Sequence, residues 1–328
     1  MRKSFPISLI GLVATAVVFL LQVVPIIGIF LMVVGAPFWS VLLINGSMIG
    51  VAIEVAVGRV ARSWLLLPIL FYGGYWLATT SDHLALWQLR IQYDAANAKV
   101  AVGFEPTRHA LVFQNSDYGA WLTQNYALPV AYSINSNFAE GYRSNRMVDF
   151  SVCTTIRKYP HLIKASVVGR AFSDGNISLG NSRMEERFCD LSMPERPTLP
   201  IVLVARQGKE TFVRGMPVTL SNRTITMPDG QIFQLLGGMA WPLTWIPMPI
   251  MGCGPNSAWA SWDCSAGFQR NRFVPIVSGS GRFGRDSVVL AKALGLKPVT
   301  IDDRVGADRQ VVFKRIAELE KASAKAVR

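Results

Sequence analysis

A chain of 328 residues with 51% hydrophobic and 16% charged residues is too apolar for an ordinary soluble domain, where roughly a quarter of residues are charged. The length allows about two domains. A formal net charge of +12 favours anionic partners.

The apolar excess sits at the N-terminus. Residues 4–53 contain no charged side chain; Glu54, Arg59 and Arg62 follow, and 64–80 is apolar again. A hydrocarbon core about 30 Å thick takes about 20 helical residues per crossing. The pattern therefore predicts three transmembrane helices at 7–34, 38–57 and 64–80. Gly35, Ala36 and Pro37 form the first turn, and Pro25 kinks the first span. A cleaved signal peptide is not expected. The run is too long, no A-x-A site follows it, and a second apolar segment comes directly after. Arg2, Lys3, Arg59 and Arg62 lie on the same side of two crossings. The positive-inside rule puts that side in the cytoplasm and everything after the third span in a bacterial periplasm. Glu54 lies about one turn from the cytoplasmic end, where snorkelling or pairing with Arg59 or Arg62 accounts for it. Gly46, Ser47, Gly50, Gly73 and Gly74 supply small residues for close helix contact.

Residues 81–103 continue in helical register as a stalk, through Leu84, Trp87, Ile91 and Ala95. Residues 104–307 read as a periplasmic mixed α+β domain with an antiparallel sheet. Three prolines within 193–200 mark a subdomain boundary. The expected elements are a strand at 109–114, a helix at 118–126, a strand at 128–133 and a loop over 133–146. Then come a strand at 164–172 and a turn at 173–176. The clearest β region is 201–236, read as strands at 201–206, 211–214, 218–220, 223–227 and 231–236. Pro228, Asp229 and Gly230 turn the last two. A helix at 282–294 and a strand at 297–301 follow. Residues 308–328 form a basic amphipathic helix with Val312, Ile316 and Leu319 on one stripe, read as solvated or docked on its own domain.

Residues 233–253 are uncharged and long enough for a fourth span, but Pro242, Pro247 and Pro249 argue against a helix. A buried loop, or a surface touching membrane or partner, fits better. Trp241, Trp245, Trp259 and Trp262 are the aromatic candidates for that surface.

The four cysteines, Cys153, Cys189, Cys253 and Cys264, are read as two disulfides in an oxidising compartment. Three connectivities are open, and neighbour pairing, Cys153–Cys189 and Cys253–Cys264, is preferred. No metal is expected: there is no C-x-x-C, and His83, His109 and His161 are scattered. Gly279, Gly281 and Gly284 fit G-x-G-x-x-G, yet fewer than about 50 residues remain after them, too few for a Rossmann domain. They are read as a glycine-rich loop entering a helix, and no cofactor is expected. No G-x-S-x-G elbow or coherent carboxylate pair is present. His109, Asp117 and His161, with Glu105, Glu140 and Asp149, are the residues an active site would have to use.

These readings lead to an inner-membrane-anchored periplasmic binding or assembly protein, an accessory subunit of an envelope, secretion, pilus or conjugation complex. The alternative is a periplasmic enzyme acting on an envelope glycan or lipid-linked substrate. Expected partners are membrane lipid, other membrane or periplasmic proteins and anionic envelope components; nucleic acid is not expected.

Overall fold

The computed structural model describes residues 5–24, 27–31, 38–114, 118–136, 141–156, 178–180, 187–255, 261–278, 287–300 and 302–326. The chain forms two compact units. The first comprises Met1–Leu89, Thr211–Val218 and Ala240–Val274. The second comprises Arg90–Glu210, Thr219–Met239 and Pro275–Arg328.

The first unit is built on helices α1 (Ile10–Gln22), α2 (Phe38–Ala56) and α3 (Leu66–Asn97), with short 3-10 turns at Ile7–Leu9 and Arg62–Leu65. Residues 27–31 are also helical. Of the three expected spans, α2 is long and apolar enough by length and composition to cross a membrane; α1 is apolar and shorter. Helix α3 is unbroken to Asn97, so Leu84, Trp87, Ile91 and Ala95 belong to the same helix as Leu66. The rest of the unit is a hairpin of β9 (Pro249–Pro255) and β10 (Trp262–Phe268), antiparallel, with Cys253 directly opposite Cys264.

The second unit holds most of a nine-stranded sheet, ordered β11-β8-β7-β6-β1-β2-β3-β5-β4. Its strands are β1 (Ala110–Phe113), β2 (Ala131–Ile134), β3 (Tyr142–Asp149), β4 (Ser178–Gly180), β5 (Phe188–Pro194), β6 (Ile201–Val213), β7 (Met216–Thr226), β8 (Ile232–Ala240) and β11 (Val274–Pro275). The sheet is mixed. Antiparallel pairing holds for β2–β3, β3–β5 and β4–β5, while β1 is parallel to both β2 and β6. Every residue of β1 is buried, as a central parallel strand covered on both faces requires. Helix α4 (Tyr118–Asn125) makes the crossover from β1 to β2.

The 201–240 region departs from the expected five short strands. It contains three long ones. Residues 207–210 are exposed and polar, so β6 shows no apolar alternation there although its backbone stays paired. Arg214 and Gly215 turn β6 into β7 with φ of 51° and 85°, positive at both positions as a type I′ turn needs. Gly230, at φ 86°, closes the expected turn before β8. The expected loop over 133–146 is partly wrong, because β3 begins at Tyr142. Its polar side chains are paired inside the sheet: Ser144 Oγ donates to Met193 O at 3.2 Å, and Arg146 is bonded to Glu195. The expected strand at 297–301 reduces to an isolated bridge, Tyr126 with Pro298. The strand at 164–172 and the turn at 173–176 lie outside the described residues.

Two apolar clusters hold this unit. Leu111, Phe113, Val202, Val204 and Ile225 pack with Leu122 of α4 and with Leu290 and Ala291 of α6 (Ser287–Ala293). Val312, Ile316 and Leu319 of α7 (Arg309–Ala326) pack with Val152, Ile156, Leu191 and Met193. The apolar stripe of the C-terminal helix is thus docked on its own unit. Cys153, on α5 (Phe150–Ile156), is bonded to Cys189 within that cluster. Both cysteine pairs are the neighbour pairs, and no cysteine is free.

Candidate functional site

Several polar residues of the first unit's helices bond to residues 241–253 and to Trp262. Hydrogen bonds reach this stretch from all three helices. On α1, Gln22 Oε1 accepts from Cys253 N at 3.3 Å, and its main-chain oxygen accepts from the Trp262 indole at 3.0 Å. On α2, Ser40 Oγ donates to Pro249 O at 2.9 Å and Asn45 Nδ2 to Pro247 O at 3.1 Å. On α3, Tyr75 OH donates to Thr244 O at 2.6 Å and lies 3.2 Å from Ile246 O. His83 Nε2 lies 3.1 Å from Leu243 O, and Asp82 Oδ2 accepts from Leu243 N at 3.0 Å. The same Asp82 oxygen takes Arg270 Nη1 at 2.8 Å, and that nitrogen also donates to Trp241 O.

The result is a proline-rich strap, 241–249, with almost every carbonyl occupied. Trp241, Leu243, Thr244, Ile246, Pro247 and Pro249 have the partners just given. Pro242 O accepts from Asn271 N, and Met248 O from Gln269 N. The three prolines present no N–H that would need a partner.

The helix pair beneath is equally close. A Cβ on Gly11 would lie 2.3 Å from Ser47 Oγ, and one on Gly50 would lie 2.3 Å from Ser8 Oγ. Glu54 closes this end of the unit. Its carboxylate accepts from Ile7 N and Ser8 N, both at 3.0 Å, and from Ser8 Oγ at 2.8 Å. An acid at the start of a helix satisfies orphan amides and opposes the positive dipole end. The helix start, with the Arg59 charge acting in the same sense, accounts for Glu54.

Large apolar side chains point outward on all three helices. Ile10, Val17 and Leu20 on α1, Leu42 and Ile53 on α2, and Leu66, Leu70 and Leu77 on α3 are exposed. Between α2 and α3 lies an open groove of about 610 Å³, lined by Met48, Ala52, Ile53, Ile69, Gly73 and Trp76 among others.

The aromatic candidates divide. Trp245 stacks on His83 at 4.4 Å and is 59% exposed. Trp262 is half-buried, with a ring so close to Gly28 that a Cβ there would meet it at 2.5 Å. Trp241 is half-buried beside Phe273. Trp259 lies outside the described residues, as do Arg2, Lys3, Gly279, Gly281, Gly284, Asp117, Glu140 and His161. His109 is bound to its own turn, its Nδ1 accepting from Glu105 N at 3.2 Å. Glu105 pairs with Arg108 in solvent. Asp149 ends β3. No cluster of three metal-binding side chains exists among the described residues.

Asp190 is the perturbed carboxyl of the second unit. Burial pushes the Asp190 carboxyl up to about 6, against the hydrogen bond from Gln124 and the charge of Arg304. Arg304 also donates to the carbonyls of Thr123 and Gln124, at the C-terminal end of α4. A cation there satisfies the last carbonyls of the helix, so the cluster reads as an anchor for α4.

Gln22, Ser40, Asn45, Tyr75 and Asp82 were not singled out from the sequence. The available signal was an isolated amide, hydroxyl or acid inside an apolar run, which needs a partner wherever it is buried. Comparison with protein-family models, curated proteins and solved structures finds no match to this chain.

Proposed function

We propose that this chain is a membrane-anchored assembly protein of the bacterial inner membrane. It crosses three times through α1 with its continuation, α2 and the first part of α3, and it presents the mixed-sheet unit to the periplasm as an accessory subunit of an envelope complex. One observation carries the reading: the helices expose many large apolar side chains while Gln22, Ser40, Tyr75 and Asp82 are buried, an arrangement suited to a hydrocarbon solvent. The two disulfides suit an oxidising compartment. The apolar groove between α2 and α3 is of a shape to take a partner helix, with Gly73 allowing close approach.

Topology and assembly are tested separately. Ser63→Cys and Val305→Cys, both at exposed positions, are probed with a membrane-impermeant maleimide. Val305→Cys labels in cells with an opened outer membrane, and Ser63→Cys only after the inner membrane is permeabilised. Labelling of both from one side overturns the odd number of crossings. For assembly, the chain is solubilised gently and sized. A discrete complex that Gly73→Leu converts to monomer supports the groove as its contact. A wild-type monomer in every mild detergent overturns the assembly role.

A further inference from the structure

The strap 241–249 can be placed in depth, because each helix acts as a ruler. An α-helix rises about 1.5 Å per residue. Glu54 marks one end of the first unit. Along α2, Asn45 lies about 13 Å and Ser40 about 21 Å above it. Along α1, Gln22 lies about 21 Å above Ser8, the residue that Glu54 holds. Tyr72 OH donates to Asn45 Oδ1 at 3.2 Å, which ties α3 to the same scale. Tyr75 is then at about 18 Å and Asp82 at about 29 Å. Both α1 and α2 place their contacts with β9 at about 21 Å on this scale, Cys253 N on Gln22 and Pro249 O with Met251 N on Ser40.

Charge falls at the two ends of this scale. Glu54, Arg59 and Arg62 lie at the bottom, and the Asp82–Arg270 pair lies about 29 Å up, close to the roughly 30 Å of a hydrocarbon core. Between them the helices carry no charge. Leu243 hangs from Asp82 at the upper limit. From there the strap descends past Tyr75 to Pro247, bonded to Asn45 near the middle of the scale, and climbs back to Pro249 at Ser40. At the turn of this descent Trp245 and Ile246 face outward, 59% and 72% exposed. The carboxylate of the hairpin, Asp263, is one residue from Trp262 along β10, so it lies on the strand face turned away from Gln22.

We infer that the strap 243–248 is a re-entrant segment sunk into the outer leaflet, with Trp245 and Ile246 against lipid acyl chains. This rests on the three-span reading of the helices. Irregular backbone survives at such depth only if its polar groups are paired within the protein. Here the carbonyls of 241–244 and 246–249 have donors, and prolines 242, 247 and 249 delete three amides, which leaves the Trp245 carbonyl and the amides of Trp245, Ile246 and Met248 as the groups of the strap with no bond to another described residue. The same prolines that rule out a helical fourth span therefore make a non-helical dip tolerable.

The test is nitroxide accessibility in phospholipid vesicles, on the full chain with its disulfides oxidised. Ile246→Cys is compared with Ile49→Cys, 52% exposed on α2, and with Val305→Cys, 90% exposed on the second unit. The label at 246 should collide with oxygen and be shielded from a water-soluble nickel chelate, as at 49 and opposite to 305. Nickel access at 246 with lipid-like behaviour at 49 overturns the re-entrant strap and leaves the anchor standing. Nickel access at both 246 and 49 removes the anchor and the strap together. Low collision with both reagents at 246 means a protein covers it, and overturns the assignment to lipid.

Discussion

The two units differ in what they turn outward. In the sheet unit Leu111, Phe113, Leu122 and Val202 are fully buried together. In the helical unit the interior holds Gln22, Ser40, Tyr75 and Asp82 beside Ile44, Met48 and Val51, while Ile10, Leu42, Leu70 and Ile246 face out. Burial of apolar area stabilises the first kind of unit at about 25 cal/mol per Å². That term vanishes between helices in lipid, where packing and internal hydrogen bonds must hold the structure. On the three-span reading proposed above, one chain carries two answers to two solvents.

Substitutions that exchange the roles of the two units should break the comparison most sharply. Leu111→Ala, at a fully buried position of β1, should cost about 3–4 kcal/mol and lower the melting transition of the sheet unit by many degrees. Leu70→Ala, outward on α3, should stay within about 0.5 kcal/mol in micelles. Equal losses at the two sites, read by scanning calorimetry, would end the inside-out reading. Asp82→Ala leaves Leu243 N without its acceptor and Arg270 with the Trp241 carbonyl but no carboxylate; about 2–3 kcal/mol should be lost, less than for a fully dry pair because Arg270 is partly solvated. Its readout is faster proteolysis of the 241–274 region. Asn45→Leu removes one donor to the strap and should cost about 1–2 kcal/mol.

The smallest effect concerns pH and the sheet unit alone. Asp190 binds its proton more tightly when folded, with a value raised from 3.8 to about 6. Its contribution is complete below pH 3.8 and is lost as pH rises through about 6. The drop is about 1 kcal/mol after allowance for screening. Asp190→Asn keeps an acceptor for Gln124 and should flatten the decline in melting temperature between pH 4 and 7. An unchanged slope in the variant would assign the titration elsewhere.

Much of the local structure was legible. Short apolar runs marked β1 and β2, the stripe of Val312, Ile316 and Leu319 marked α7, and the spacing of four cysteines favoured the pairs that are bonded. Such signals lie within one element or one short loop, so periodicity and spacing carry them. The long polar ribbon of β6 was missed because its pairing owes nothing to apolar alternation. The β3 strand was missed because Ser144 and Arg146 have a loop-like composition and find their partners across the sheet.

By itself the sequence showed an uncharged N-terminal run of fifty residues, and the expectation of a membrane anchor rests on that run. It also determined that residues 233–253 were a misfit, apolar enough for a span and too rich in proline for a helix. Only the tertiary structure decided what that misfit is bonded to. The contacts that answer it join Gln22 to Cys253, Ser40 to Pro249 and Asp82 to Leu243, across 160 residues of chain or more. A hydrogen bond between such distant residues leaves no periodicity to read, because its geometry is set by how the helices stack and by nothing in the neighbourhood of either partner.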